Sequence, residues 1–221
     1  MKYFDCDRTA TAITVVTTTW PAGTIMDPGT TINLGSAAVA TPLCLFAPTV
    51  GAALNQRIGR QVKVFGLEVR GTINVPQQSA QSAADAAAKV RLIVVQDMQT
   101  NAAQMTSAQL MQDATAADTT IDTHQNPNNF GRFRVLKDKM FIIGDTNMGG
   151  ESAAALVTQG QKRMFKFNIK FKNPILVHFN ATNGGTVADI IDNSFHIVVG
   201  GDIVAGLTPT LSYYTRVSYK E

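Results

Sequence analysis

From Val62 onward, apolar and polar residues alternate with a period of two, as strands with one buried face require. Val62 and Val64 share one phase, while Leu67, Val69, Ile73 and Val75 take the other. The switch falls at Gly66 and predicts a β-bulge. Lys89–Asp97 (KVRLIVVQD) is apolar on both sides, the pattern of a strand covered on both faces. Arg132–Leu136 alternates through Phe133 and Val135, and Lys137-Asp138-Lys139 predicts a bend into Met140–Ile143. The clearest alternation is Arg163–Lys172, with Phe165, Phe167, Ile169 and Phe171 opposite Lys166, Asn168, Lys170 and Lys172. Asn173-Pro174 predicts a stop, after which Ile175, Val177 and Phe179 resume. Phe195, Ile197 and Val199 form a further strand ended by Gly200-Gly201, and Leu211–Tyr219 forms the last.

One segment reads as helix, over 106–114: Thr106 with Gln109 fits a capping box ahead of Leu110 and Met111. Ser79–Ala88 is Ala-rich and reads as a loop or single turn. Between Arg8 and Arg57 there is no Lys or Arg, and Pro21, Pro28, Pro42 and Pro48 interrupt any helix. Residues 1–56 therefore read as an extended arm lying on the body, with Trp20 as an anchor, and residues 57–221 as the folded domain. Eight strands with one short helix predict an all-β domain. A sandwich of two four-stranded sheets or a barrel follows, because each half-apolar sheet must bury a face.

Composition narrows the function classes. Apolar residues make up 45% of the 221 and charged residues 16%, so a full core is supported by a thinly charged surface. Low charge with slightly positive mean hydropathy points to a surface that meets other protein. Net charge is +3, mildly basic and far from an arginine-rich binder. No window is long and apolar enough to span a membrane, and the first residues do not form a signal peptide. Cys6 and Cys44 fall in no metal or redox spacing and read as thiols, with a cystine between them left open.

Catalytic chemistry finds little support in the pattern. His124, His178 and His196 have no metal-ligand spacing between them, which disfavours a cupin-type metal enzyme. His178 and His196 read as ordinary hydrogen-bonded surface or interface residues. No nucleophile elbow, P-loop or dinucleotide fingerprint occurs, and Gly149-Gly150 and Gly184-Gly185 read as turns. Asp189 and Asp192 could share a cation, and oxygen ligands would favour Ca²⁺, although two solvated loop acids are the simpler reading.

Several stretches together resemble a known family. Arg57-Ile58-Gly59-Arg60-Gln61-Val62-Lys63-Val64 runs into a long strand containing Gly71. Val90–Asp97 follows, then Asn129-Phe130-Gly131-Arg132-Phe133-Arg134-Val135-Leu136, and the chain closes on Tyr214-Thr215-Arg216-Val217-Ser218-Tyr219. Over about residues 55–221 this resembles the single jelly-roll capsid protein of small circular, replication-initiator-encoding single-stranded DNA viruses. That capsid lineage is similar to satellite tobacco necrosis virus.

The resemblance implies an eight-stranded jelly roll with antiparallel sheets B-I-D-G and C-H-E-F. Its strands would fall at B 62–75, C 89–97, D 132–136, E 139–143, F 163–172, G 175–180, H 194–200 and I 210–219, with the helix in the C-to-D loop. It further implies a non-enzymatic T=1 icosahedral shell of about 60 copies. Such a shell encloses single-stranded DNA in the virion after assembly in the host nucleus or cytoplasm. Its partners would be other copies of itself, nucleic acid bound without sequence preference, and a host receptor, with no membrane. Arg57, Arg60, Arg70, Arg132, Arg134 and Arg216 would form the genome-facing surface. Asp189 and Asp192 would be the candidates for Ca²⁺ at subunit interfaces, no other cofactor being expected. The family's arginine-rich arm has no counterpart in residues 1–56, whose basic residues are Lys2 and Arg8. At +3 each, a shell carries on the order of 180 charges, well short of a genome's phosphates. A truncated arm, small cations or a largely empty shell would each close that gap. The runner-up is a jelly-roll carbohydrate-binding or fibre-head module.

Overall fold

The computed structural model describes residues 1–32, 41–74, 87–112, 120–144, 162–202 and 208–221. In chain order the strands are β1 (Lys2–Ala12), β2 (Thr14–Val15), β3 (Thr30–Ile32), β4 (Gln61–Asn74), β5 (Ala87–Asp97), β6 (Phe133–Gly144), β7 (Lys162–Phe179), β8 (Ile190–Asp192), β9 (Ser194–Asp202) and β10 (Thr210–Lys220). The helix α1 (Ser107–Leu110) lies between β5 and β6. They build an all-β jelly roll of two sheets, ordered β3-β1-β10-β4-β7-β8 and β2-β9-β5-β6.

The expected sheet orders are present, with the strand letters displaced. B-I-D-G is β1-β10-β4-β7, and C-H-E-F is β2-β9-β5-β6. The first part of the expected arm is instead a sheet strand: β1 pairs antiparallel with β10 from Lys2↔Tyr219 to Ala12↔Thr210. Phe4 and Cys6 point into the core, and Tyr3, Asp5 and Asp7 point away. The C position is filled piecemeal, by β2 parallel to β9 and by an Ile25↔Val198 bridge. The first sheet has six strands rather than four, and α1 sits in what is by pairing the E-to-F connection. Gln109 Oε1 accepts from the Thr106 amide at 3.0 Å, as the capping box requires.

Two predicted breaks are bulges within continuous strands. Across β5, Val94 pairs with Lys137 and Val95 with Val135, so Leu136 is the extra residue. Lys137-Asp138-Lys139 stays extended because Asp138 takes a cross-strand ion pair from Arg91 at 2.6 Å. In β7, Val64 pairs with Ile175 and Gly66 with Lys170, leaving residues 171–174 looped out opposite Phe65. Pro174 thus removes no ladder hydrogen bond. The bulge predicted at Gly66 is this same register shift.

Two cores flank the four-stranded sheet. Between the sheets, Phe46 packs edge-on against Phe4, Phe179 and Tyr219, with ring centroids 5.6, 6.1 and 5.0 Å away. On the far side, Val16, Trp20, Met105, Leu110, Met111 and Ile121 roof Ile93, Val95 and Val198. This explains why β5 is apolar on both faces, and Trp20 is the anchor expected, 3% exposed. Cys6 and Cys44 are both buried free thiols. Of the Ala-rich loop predicted at Ser79–Ala88, Ala87 and Ala88 begin β5. The rest, with Val75, residues 113–114 and Gly149-Gly150, lies outside the described residues.

Candidate nucleic-acid interface

With β5 and β9 of the four-stranded sheet covered on both sides, the broad outer face of the six-stranded sheet stands open among the described residues. Strand register sets its side chains in rows. Asp5, Arg216, Glu68 and Asn168 share one row across β1, β10, β4 and β7; Asp7, Tyr214, Arg70 and Lys166 share the next. Along β7, Lys162, Lys166 and Lys170 alternate with Phe165, Phe167 and Ile169 and are exposed, as is Lys172. Lysine density here follows from strand periodicity: β7 must bury one phase in the inter-sheet core and present the other to solvent.

The expected arginine surface is only partly assembled. Arg70 and Arg216 lie on this face, with side chains 59% and 52% exposed. Each has a carboxylate neighbour: Arg70 meets Glu68 at 2.9 Å, and Arg216 grips Asp5 through Nε and Nη2. Hydrogen bonding to Asp5, then its charge, raises the Arg216 guanidinium above its ordinary value. Arg60 is exposed just before β4.

Arg57 does not face solvent. It is 1% exposed, donates to the carbonyls of Pro48, Gly59 and Thr182, and stacks 4.3 Å over the Phe179 ring. Burial lowers its affinity for the proton, with Asp189 partly restoring it. It ties three loops together and cannot contact a genome. Arg134 lies on β6 of the other sheet, and Arg132 is the residue before that strand. Arg132 forks onto the buried Asp97 at 3.0 and 2.8 Å, while Arg134 is exposed. The sequence reads Lys166, Lys170 and Lys172 as an ordinary solvated face, because alternation alone says no more; their repetition on one strand is the added signal.

Asp189 and Asp192 do not converge. Asp189 is 3% exposed and closes its own turn, accepting from the Thr182 hydroxyl, the Gly185 amide at 2.6 Å and the Thr186 amide at 3.2 Å. Burial alone would raise its pKa, but the Thr182 bond and the loop amides outweigh it and hold the carboxyl below the usual range. Asp192 faces the His178 ring, with Oδ2 at 2.8 Å from Nδ1. No group of three or more metal-ligating side chains forms among the described residues.

His196 departs from the surface role expected of it. Asp27, His196 and Ser194 stand in the order acid, imidazole, hydroxyl: His196 Nδ1 lies 2.7 Å from Asp27 Oδ2, and Nε2 lies 2.8 Å from Ser194 Oγ. This is the connectivity of nucleophilic catalysis. Ser194 and His196 are, however, completely buried and Asp27 is 2% exposed, so no substrate carbonyl reaches the hydroxyl. Thr100 extends the array by donating to Ser194 Oγ at 2.7 Å, while Asp27 also accepts from the Ile197 amide and Gln104. The array ties the Asp27 segment to β9 and to the turn after β5. The polar phase of β9 is dry because the loop layer roofs it. No described helix is long and apolar enough to cross a membrane. No protein-family model matches the chain, and no curated protein matches it.

Proposed function

We propose that this chain is a structural shell subunit, a jelly-roll capsid protein that assembles with about 60 copies of itself around single-stranded nucleic acid. The observation that carries the reading is the asymmetry of the two sheets. In one, β5 and β9 lie between two cores and β6 is an exposed edge strand; the other leaves a whole face open, with Lys162, Lys166, Lys170 and Arg70 exposed on it. An open basic sheet face suits phosphate contacts without sequence preference, and its natural place is the inside of a container. The genome-facing set is thus revised to the β7 lysines with Arg70 and Arg216, without Arg57. Apolar side chains exposed away from that face, Ile58 at 68% and Ile142 at 64%, supply lateral surface for heterologous contacts.

Size-exclusion chromatography with electron microscopy tests the proposal. Closed particles are expected, and a stable monomer at micromolar concentration overturns it. The glycan-binding alternative has one favouring feature, the exposed Tyr214 among planar charged side chains, and a glycan array separates the two readings.

A further inference from the structure

The open sheet face is not uniformly flat. Beside Tyr214 lies a hollow of about 390 Å³, walled by Asp5, Ile32, Glu68, Arg70 and Arg216. A second hollow, lined in part by Tyr3, Phe171 and Lys170, adjoins it across Glu68 and Arg216. Tyr214 is 54% exposed although it stands mid-strand on β10, where a purely structural outward position has no need of a large ring. The charges around it are unequally engaged. Asp5 occupies the fork of Arg216, and Glu68 lies 2.9 Å from Arg70 and 3.3 Å from Lys166. Lys170, next along β7, has no ion-pair partner among the described residues.

Resting on the nucleic-acid reading of this face, we infer that the Tyr214 hollow is a nucleotide subsite in which the phenol ring stacks a base while Arg70 and Lys166 take the adjoining phosphate. Register supports the geometry. Tyr214, Arg70 and Lys166 occupy one cross-strand row, so the ring and the lysine stand two strands apart, roughly 10 Å. A nucleotide laid across the row places an apolar face on the ring and its charge on the cations. Stacking tolerates every base, so the site adds affinity for unpaired strands without adding sequence preference. A duplex, whose bases are already stacked, gains nothing from it. The carboxylates of Asp5 and Glu68 hold the two arginine side chains in place as walls, which leaves the ring accessible.

The test compares a thymidylate octamer with an abasic octamer of the same backbone, each titrated against the full-length chain before assembly at fixed salt. Wild type is expected to prefer the thymidylate by about tenfold, the worth of one stacked base. Tyr214→Ala should erase that preference, and Tyr214→Trp should keep it. Lys166→Ala should weaken both probes alike. Equal binding of the two octamers by wild type, no binding of either, or a preference that survives Tyr214→Ala overturns the subsite. So does saturable binding of an oligosaccharide that Tyr214→Ala abolishes, which would assign the hollow to a sugar. Electron microscopy of the same preparations reads shell assembly separately, so loss of the subsite and loss of the capsid reading are distinguishable.

Discussion

Removing the Asp27 carboxylate is the sharpest test of how this fold holds its irregular C position. Asp27 belongs to no strand, yet its two oxygens accept from His196 Nδ1 at 2.7 Å, Gln104 Nε2 at 2.7 Å and the Ile197 amide at 3.0 Å. Asp27→Ala strands donors in a region where His196 is fully buried. Each unsatisfied buried donor costs about 1–3 kcal/mol, and more where the acceptor lost was a carboxylate. Because these costs overlap, the expected loss is about 4 kcal/mol, a large share of the roughly 5–15 kcal/mol that a domain has. Asp27→Asn keeps one oxygen for the Ile197 amide and should cost about half as much. Urea unfolding at fixed protein concentration measures both, with Trp20 as the probe, since it is the chain's single tryptophan and packs in the loop-side core. The midpoint should move at unchanged slope, and melting should drop by roughly 8–16 °C for Asp27→Ala. A loss below about 1 kcal/mol would refute the view that this carboxylate ties the loop layer to β9.

Four further outcomes follow from the geometry. Arg57→Ala should destabilise the fold by about 2–4 kcal/mol through three orphaned carbonyls and the lost Phe179 stack, yet leave the salt dependence of oligonucleotide binding unchanged. Lys170→Ala should do the reverse, lowering the log–log salt slope by about 0.7 with stability intact. Gly71→Ala should be severely destabilising by thermal melting, since the new Cβ would collide with the Ser212 carbonyl oxygen and sit 2.7 Å from Tyr213 Cβ. Asp189 titrates below its ordinary value when folded, so its contribution is fully present above about pH 4 and is lost as pH falls through the lowered folded value. The stability gap between wild type and Asp189→Asn, measured by urea unfolding across pH, should therefore shrink in acid.

The alternating pattern by itself determined most of the β architecture. Buried phases in β4, β7, β9 and β10 could be read residue by residue, because a strand with one dry face must repeat every second position. The doubly apolar β5 announced its own two-sided burial, and Gly66 its bulge. What the pattern could not settle was where polar segments go. β1 carries Phe4 and Cys6 as its inward apolar signal at the start of a strand whose other positions are mostly polar, so only its ladder to β10 marks it as a strand. Lys137-Asp138-Lys139 and Asn173-Pro174 look like breaks until a cross-strand ion pair and a bulge absorb them. The site divides along the same line. That β7 presents lysines was written in its period, but whether an arginine meets solvent depends on loops distant in sequence. Arg57 disappears beneath Thr182 and Phe179, and Asp189 spends its oxygens on its own turn. Local periodicity fixes which side of a strand is dry; only tertiary packing decides which polar groups find partners there, because those partners come from elsewhere in the chain.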